Sequence, residues 1–274
     1  MDRYQRIVVG TDGSEAAQLA VTVAGEVALR LGVPITALTV WKEKARKSAL
    51  DPESAVRISA AAVAALVEAG LSQVTALDMA GTPSAALLEV GAQDPGTLLV
   101  IGARGLGRSK DRLTSSTANH VSHHSPTDVL FTHKVPKRWT TVGLATDGSP
   151  SSMLAVRRGY DLALELGARP FLVTATKTDA DGAETLAQVH AALSLDDPEL
   201  LGHDVLTGVP PAEALCNAAW KYDLVVIGNR GMSGPARLLG SVANKVTHDI
   251  DTNLLLVATT HGSDDPAPEP DPPR

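Results

Sequence analysis

Aromatic side chains make up only 3 % of the 274-residue chain, and cysteine occurs once. So few rings exclude the stacking platforms on which single-stranded nucleic acids are held. One cysteine excludes an internal disulfide and suits a reducing compartment. Cys216 lies in "PPAEALCNAAWKYD", where a packed thiol is expected rather than a nucleophile. Positive charge is also in deficit, 24 Lys and Arg against 31 Asp and Glu, so the net charge is -7. That balance gives no overall attraction to nucleic acid or to an anionic membrane. No apolar run approaches membrane-span length, and the start "MDRYQRIVVGTDGS" has no signal-peptide core. A cytoplasmic protein is therefore expected. What is abundant is Ala, Val and Leu, within a hydrophobic share of 44 %. These residues must build the core.

The chain repeats itself. "RIVVGTDGSEAA" at 6–17 returns as "TVGLATDGSPSS" at 141–152, which pairs Asp12 with Asp147. "TLLVIGARG" at 97–105 returns as "DLVVIGNRG" at 223–231. "MAGTPSAALLE" resembles "LTGVPPAEALC", and "HVSHHSPTDVLFT" resembles "KVTHDIDTNLLLV". The offset falls from 135 to 126 along the chain, so the second half is shorter, mostly between its second and third strands.

Within each half, short apolar runs alternate with stretches of helical spacing. "RIVVG", "ITALTVW", "VTALDMA", "TLLVIG" and "TDVLFT" are predicted strands. "SEAAQLAVTVAGEVALRLG", "PESAVRISAAAVAALVEAG" and "PSAALLEVGAQ" are predicted helices, with Gly32 and Gly70 as left-handed caps for the first two. Apolar strands alternating with helices imply parallel sheets covered on both faces. The expected fold is α/β: two doubly wound parallel-sheet domains in tandem, at 1–136 and 137–261, followed by a disordered Pro- and Asp-rich tail at 262–274.

In such a sheet, ligands bind beyond the carboxyl ends of the strands, where strand order reverses. Two loops per half lie there. "TDGS" at 11–14 and 146–149 offers an Asp as acceptor, a Gly for the turn and Ser14 or Ser149 as helix cap. It also serves as a plain strand-to-helix turn. The loop "VIGNRGMSGPARLLGSV" follows the fourth strand of the second half. Its glycines let main-chain amides approach an anion, and a helix starting near Gly240 adds its first amides and the Ser241 hydroxyl. Arg230 and Arg237 add positive charge. The loop recurs after Gly102 in the first half.

At these residues the chain resembles a universal stress protein domain, present twice, at about 4–133 and 139–259. The resemblance implies five strands per domain, in the adenine nucleotide alpha hydrolase-like arrangement, with the first and fourth strands adjacent at the switch point. Members of one subclass bind ATP through G-x2-G-x9-G-[ST]. That pattern places Gly228, Gly231, Gly240 and Ser241, with Arg230 and Val242 beside them, around phosphates. It puts Asp147 near a ribose and the main chain of Ala175 on adenine. The first-half equivalents are Asp12, Val40, Gly102, Gly105, Ser115 and Ser116. Both halves depart from the pattern. Eight residues separate Gly231 from Gly240, and Ser115 stands where the third glycine belongs. The resemblance also implies pairing of the two halves through "TDVLFT" and "NLLLVAT", an intrachain pseudo-dimer. Dimerisation of the whole chain is compatible with it.

There is no Walker loop and no nucleophile elbow. His120, His123 and His124 have helical i, i+3, i+4 spacing, for which a solvated or interface role is expected and no metal site. The reading is a stress-linked regulatory protein that binds ATP or a related adenine nucleotide, with or without Mg2+, and is not an enzyme. The alternatives are a protein-interaction module without nucleotide, and a slow ATPase.

Overall fold

The computed structural model describes residues 3–42, 50–103, 116–193, 198–229 and 239–259. Arg230, Gly231, Arg237, Gly105, Ser115, the side chain of Ser116 and the tail lie outside the described residues.

The first half runs β1 (Arg6–Gly10), α1 (Glu15–Leu31), β2 (Ile35–Trp41), α2 (Pro52–Glu68), β3 (Val74–Ala80), α3 (Pro83–Ala92), β4 (Thr97–Gly102), α4 (Ser116–His124) and β5 (Val129–Thr132). The second repeats it as β6 (Thr141–Ala145), α5 (Pro150–Leu166), β7 (Arg169–Ala175), α6 (Asp179–Leu193), β8 (Gly202–Leu206), α7 (Pro211–Ala218), β9 (Leu224–Gly228), α8 (Ser241–Asp249) and β10 (Asn253–Val257). The predicted strands and helices of the first half all form.

Helix α1 shows why. Ser14 accepts a hydrogen bond from the Ala17 amide and caps its start. Ala17, Ala20, Val21, Ala24, Val27, Ala28 and Leu31 fall on one buried face. Gly32, at φ 67°, ends it in the left-handed conformation predicted. Gly70 follows α2 with φ 100°.

The strands join one ten-stranded sheet in the order β3-β2-β1-β4-β5-β10-β9-β6-β7-β8. Every pairing is parallel except β5 with β10. There the register sets Leu130 opposite Leu255, its own equivalent in the repeat, so a pseudo-two-fold axis passes through that pair. The two halves therefore do pair through their last strands. One buried cluster lies between the sheet and α1, α2, α5 and α6, and a second between the sheet and α3, α4, α7 and α8. Leu, Val and Ala dominate both. Each fully buried Val or Leu contributes roughly 1.5–3 kcal/mol, so aliphatic contacts make up for the scarce aromatics.

Candidate functional site

Strand order reverses between β1 and β4, and again between β6 and β9. A cleft opens at each point. The first, of about 270 Å³, is lined by Thr11, Asp12, Val40, Pro83, Leu87 and Gly102, among others. The second, of about 250 Å³, is lined by Thr146, Asp147, Ala175, Pro211, Gly240 and Ser241, among others.

The TDGS turns build one wall of each. Gly13 and Gly148 take φ of 77° and 79°, a backbone conformation that glycine adopts without a Cβ penalty. The Ser14 amide donates to the Asp12 carboxylate at 3.0 Å, and the Ser149 amide donates to Asp147 at 3.0 Å. The second half adds a bond: the Ser149 hydroxyl donates to Asp147 at 2.6 Å. Burial would raise the Asp147 pKa. The bonds from Ser149 outweigh it and hold the carboxyl below its usual range, so it is ionised at neutral pH.

The base of each cleft comes from the second strand of its half. The Thr11 amide bonds to the Leu38 carbonyl and the Thr146 amide to the Val173 carbonyl, at 2.9 Å each. Main-chain groups alternate sides along a strand. Val40 and Ala175, two residues further on, therefore turn their amide and carbonyl to the same side, one step beyond the last of those bonds. Both residues line their clefts, as expected.

The far wall of the second cleft is the start of α8. Gly240 is its N-cap, at φ −59° and ψ 148°, and no side chain caps the helix. The carbonyl of Gly240 accepts the first helical bond, from the Asn244 amide at 2.8 Å. The amides of Ser241, Val242 and Ala243 begin the helix, and these residues line the cleft. Asn229 sets the approach. Its carbonyl accepts from the Gly240 amide at 2.9 Å, and its side chain accepts from the Thr259 amide and hydroxyl.

Gly102 lines the first cleft and also lets α1 come close: a Cβ there would lie 2.6 Å from the Ala16 carbonyl oxygen. At Gly228 the nearest atoms to such a Cβ are 3.3 Å and 3.4 Å away, in Thr259 and Ser151. Sequence reasoning missed Ser152, Pro83, Pro211, Leu87 and Leu215. The matching prolines of "GTPSAA" and "GVPPAE" were the available signal. Cys216 is a half-buried thiol packed against the second cluster, and burial pushes it up to about 11, away from thiolate chemistry.

Comparison with known proteins places this architecture. The model of the universal stress protein family matches residues 3–133 and again 138–258. The chain belongs to the universal stress protein family and carries the domain twice. A universal stress protein of Mycobacterium tuberculosis is 34 % identical over 147 residues, which span 44 % of this chain and 98 % of that protein. One from Mycolicibacterium smegmatis is 28 % identical over 56 % of this chain, which spans 59 % of that relative's length. A universal stress protein structure from Archaeoglobus fulgidus superposes with a TM-score of 0.72 at 18 % identity, covering 93 % of this chain and 96 % of that one. No helix among the described residues is long and apolar enough to cross a membrane.

Proposed function

We propose that this protein binds an adenine nucleotide, ATP or a close relative with or without Mg2+, and that the C-terminal cleft is the tighter site. One observation carries the reading: Asp147, the main chain of Ala175 and the uncapped start of α8 converge on a single cavity of about 250 Å³. The ionised Asp147 accepts from ribose hydroxyls. The strand-end amide and carbonyl of Ala175 meet the adenine edge. Phosphate oxygens take the amides of Ser241 to Ala243, where the helix dipole favours negative charge. The apolar walls, Val173, Leu215 and Ile227, cover the base.

The protein acts as a regulatory binder rather than a fast catalyst. Among the described residues lining the cleft, Asp147 is the one titratable group, and one of its oxygens, Oδ1, already takes both bonds from Ser149. Among those described lining residues no second acid or base stands beside it.

The test is ligand-dependent melting with ATP, ADP and cAMP in turn. A site filled at a hundred times its Kd stabilises by about 2.7 kcal/mol. Asp147→Asn is expected to weaken binding about tenfold, or about 1.4 kcal/mol, while Asp12→Asn changes it less. Gly240→Val suits the local backbone, yet its side chain would crowd the phosphates and abolish the shift. No shift with any of the three nucleotides would overturn the proposal.

A further inference from the structure

A second chemistry sits away from the clefts, on α4. Ala118 and Val121 of this helix pack into the core, and α8 packs there likewise through Ala243 and Val246, so both helices flank the pseudo-two-fold axis on one face of the sheet. The opposite side of α4 carries His120 and His124, both exposed. Their rings stack with centroids 4.3 Å apart and planes within 20°. His123 lies between them in sequence, with its ring 6.2 Å from that of His124, and it turns instead toward Asn244 and His248 of α8.

Two details favour a ligand over a chance pair. First, Nδ1 of His124 meets the His120 carbonyl at 2.9 Å. A carbonyl only accepts, so Nδ1 carries the proton and Nε2 keeps a free lone pair. That is the support which orients histidines that bind metals. Second, the two rings stand one helical turn apart on an exposed face, so both can turn toward one ion. Lone pairs of near-parallel stacked rings do not converge, so a shared ion requires the exposed His120 ring to swing out of the stack. The spacing i, i+4 on one helix face is also the one by which paired histidines grip zinc. Among the described residues no three His, Cys, Asp or Glu converge into a closed cage. The pair therefore leaves coordination positions to water, as in an open site.

We propose that His120 and His124 form a two-histidine site for a divalent transition ion of the zinc, nickel and copper class. His124 binds through Nε2, and His120 through whichever nitrogen its rotation presents. The ion is held by neutral imidazole nitrogens.

The experiment titrates Zn2+ into the full chain, free of any affinity tag, against a chromophoric chelator at pH 7.5. One ion per chain is expected. His120→Ala and His124→Ala should each weaken binding by about tenfold or more, and His248→Ala should leave it unchanged. Cu2+ bound to the wild type should show an electron paramagnetic resonance pattern of two imidazole nitrogens, reduced to one in either variant. Circular dichroism of the variants confirms the fold, since both side chains are exposed. Binding that survives the double variant, or no competition with the chelator, would overturn the proposal. Neither outcome bears on the nucleotide clefts, which contain no histidine among their described lining residues.

Discussion

Asp128 and Asn253 hold the same place in the two halves, at the start of the strand that meets its mate across the pseudo-axis. Each receives a main-chain amide from just beyond the other half's last strand. Ala258 donates to Asp128 at 2.9 Å, and His133 donates to Asn253 at 2.9 Å. From there the two diverge. The Asn253 amide group supplies its own donor, to the Asp223 carbonyl at 3.0 Å. A carboxylate has no donor and carries a charge, so Asp128 takes the Tyr4 hydroxyl at 2.6 Å and the Arg158 guanidinium at 3.7 Å. Arg158 belongs to α5 of the other half, and the repeat equivalent of Arg158 is Val23. A charge in one half is thus answered by a cation from the other, and where the charge is absent the cation is absent too.

The largest effect should come from breaking that arrangement. Asp128→Ala strands a buried amide and a tyrosine hydroxyl, and is expected to cost about 3 kcal/mol in urea unfolding. Asp128→Asn combined with Arg158→Val copies the other half and should stay within about 1 kcal/mol of wild type. If the copy is as damaging as the alanine, the equivalence of the two positions fails.

The two strand-end glycines give the next contrast. Gly102→Ala drives a Cβ against the main chain of α1 and should cost about 2 kcal/mol. Gly228→Ala meets looser contacts and should cost under about 1 kcal/mol by the same measurement. Equal costs would show that α1 and α5 yield alike.

The caps differ by less. Ser149 is buried and bonds both the Ser152 amide and Asp147, while Ser14 is exposed and caps Ala17 alone. Ser149→Ala should cost about 1–2 kcal/mol, and Ser14→Ala about 0.5–1. Asp147 has a depressed pKa when folded, so its contribution is present above the ordinary carboxylate range. It is lost as pH falls through the folded value. Ser149→Ala should flatten that acid limb of the stability curve.

A last effect, which vanishes at neutral pH, is again confined to one half. His133 stands where the repeat has Ala258. Burial pushes it down to about 4, with Asp251 opposing the shift and Lys134 adding to it. The unfolded chain takes up this proton near 6.5 and the folded chain only near 4, so stability declines as pH falls between those values. His133→Gln should remove that part of the decline in thermal melts at stepped pH.

Much of this molecule was readable from residue order. Period and composition placed β1 to β4 and α1 to α3 within a residue or two, because a helix face and a buried strand each impose a repeat on side-chain polarity. Gly32 and the TDGS serines were legible because caps and tight turns are local. The repeat offset matched the two last strands to each other, while their pairing, and Asp147, Ala175 and Gly240 at one cleft, followed from the resemblance. That Gly102 also lets α1 come close was not legible, since it depends on how closely α1 crosses β4, a distance that no local pattern encodes. Ser152, Leu87 and Leu215 escaped for the same reason.

Residue order by itself determined the elements, their doubling and the chemistry offered at strand ends, because these follow from short-range sterics and periodic burial. Tertiary structure alone decided the partners of Asp128, the register that seats Leu130 on Leu255, and the approach of α1 to Gly102. Those depend on contacts between residues thirty or more positions apart in the chain, and only packing brings such residues within a few ångströms.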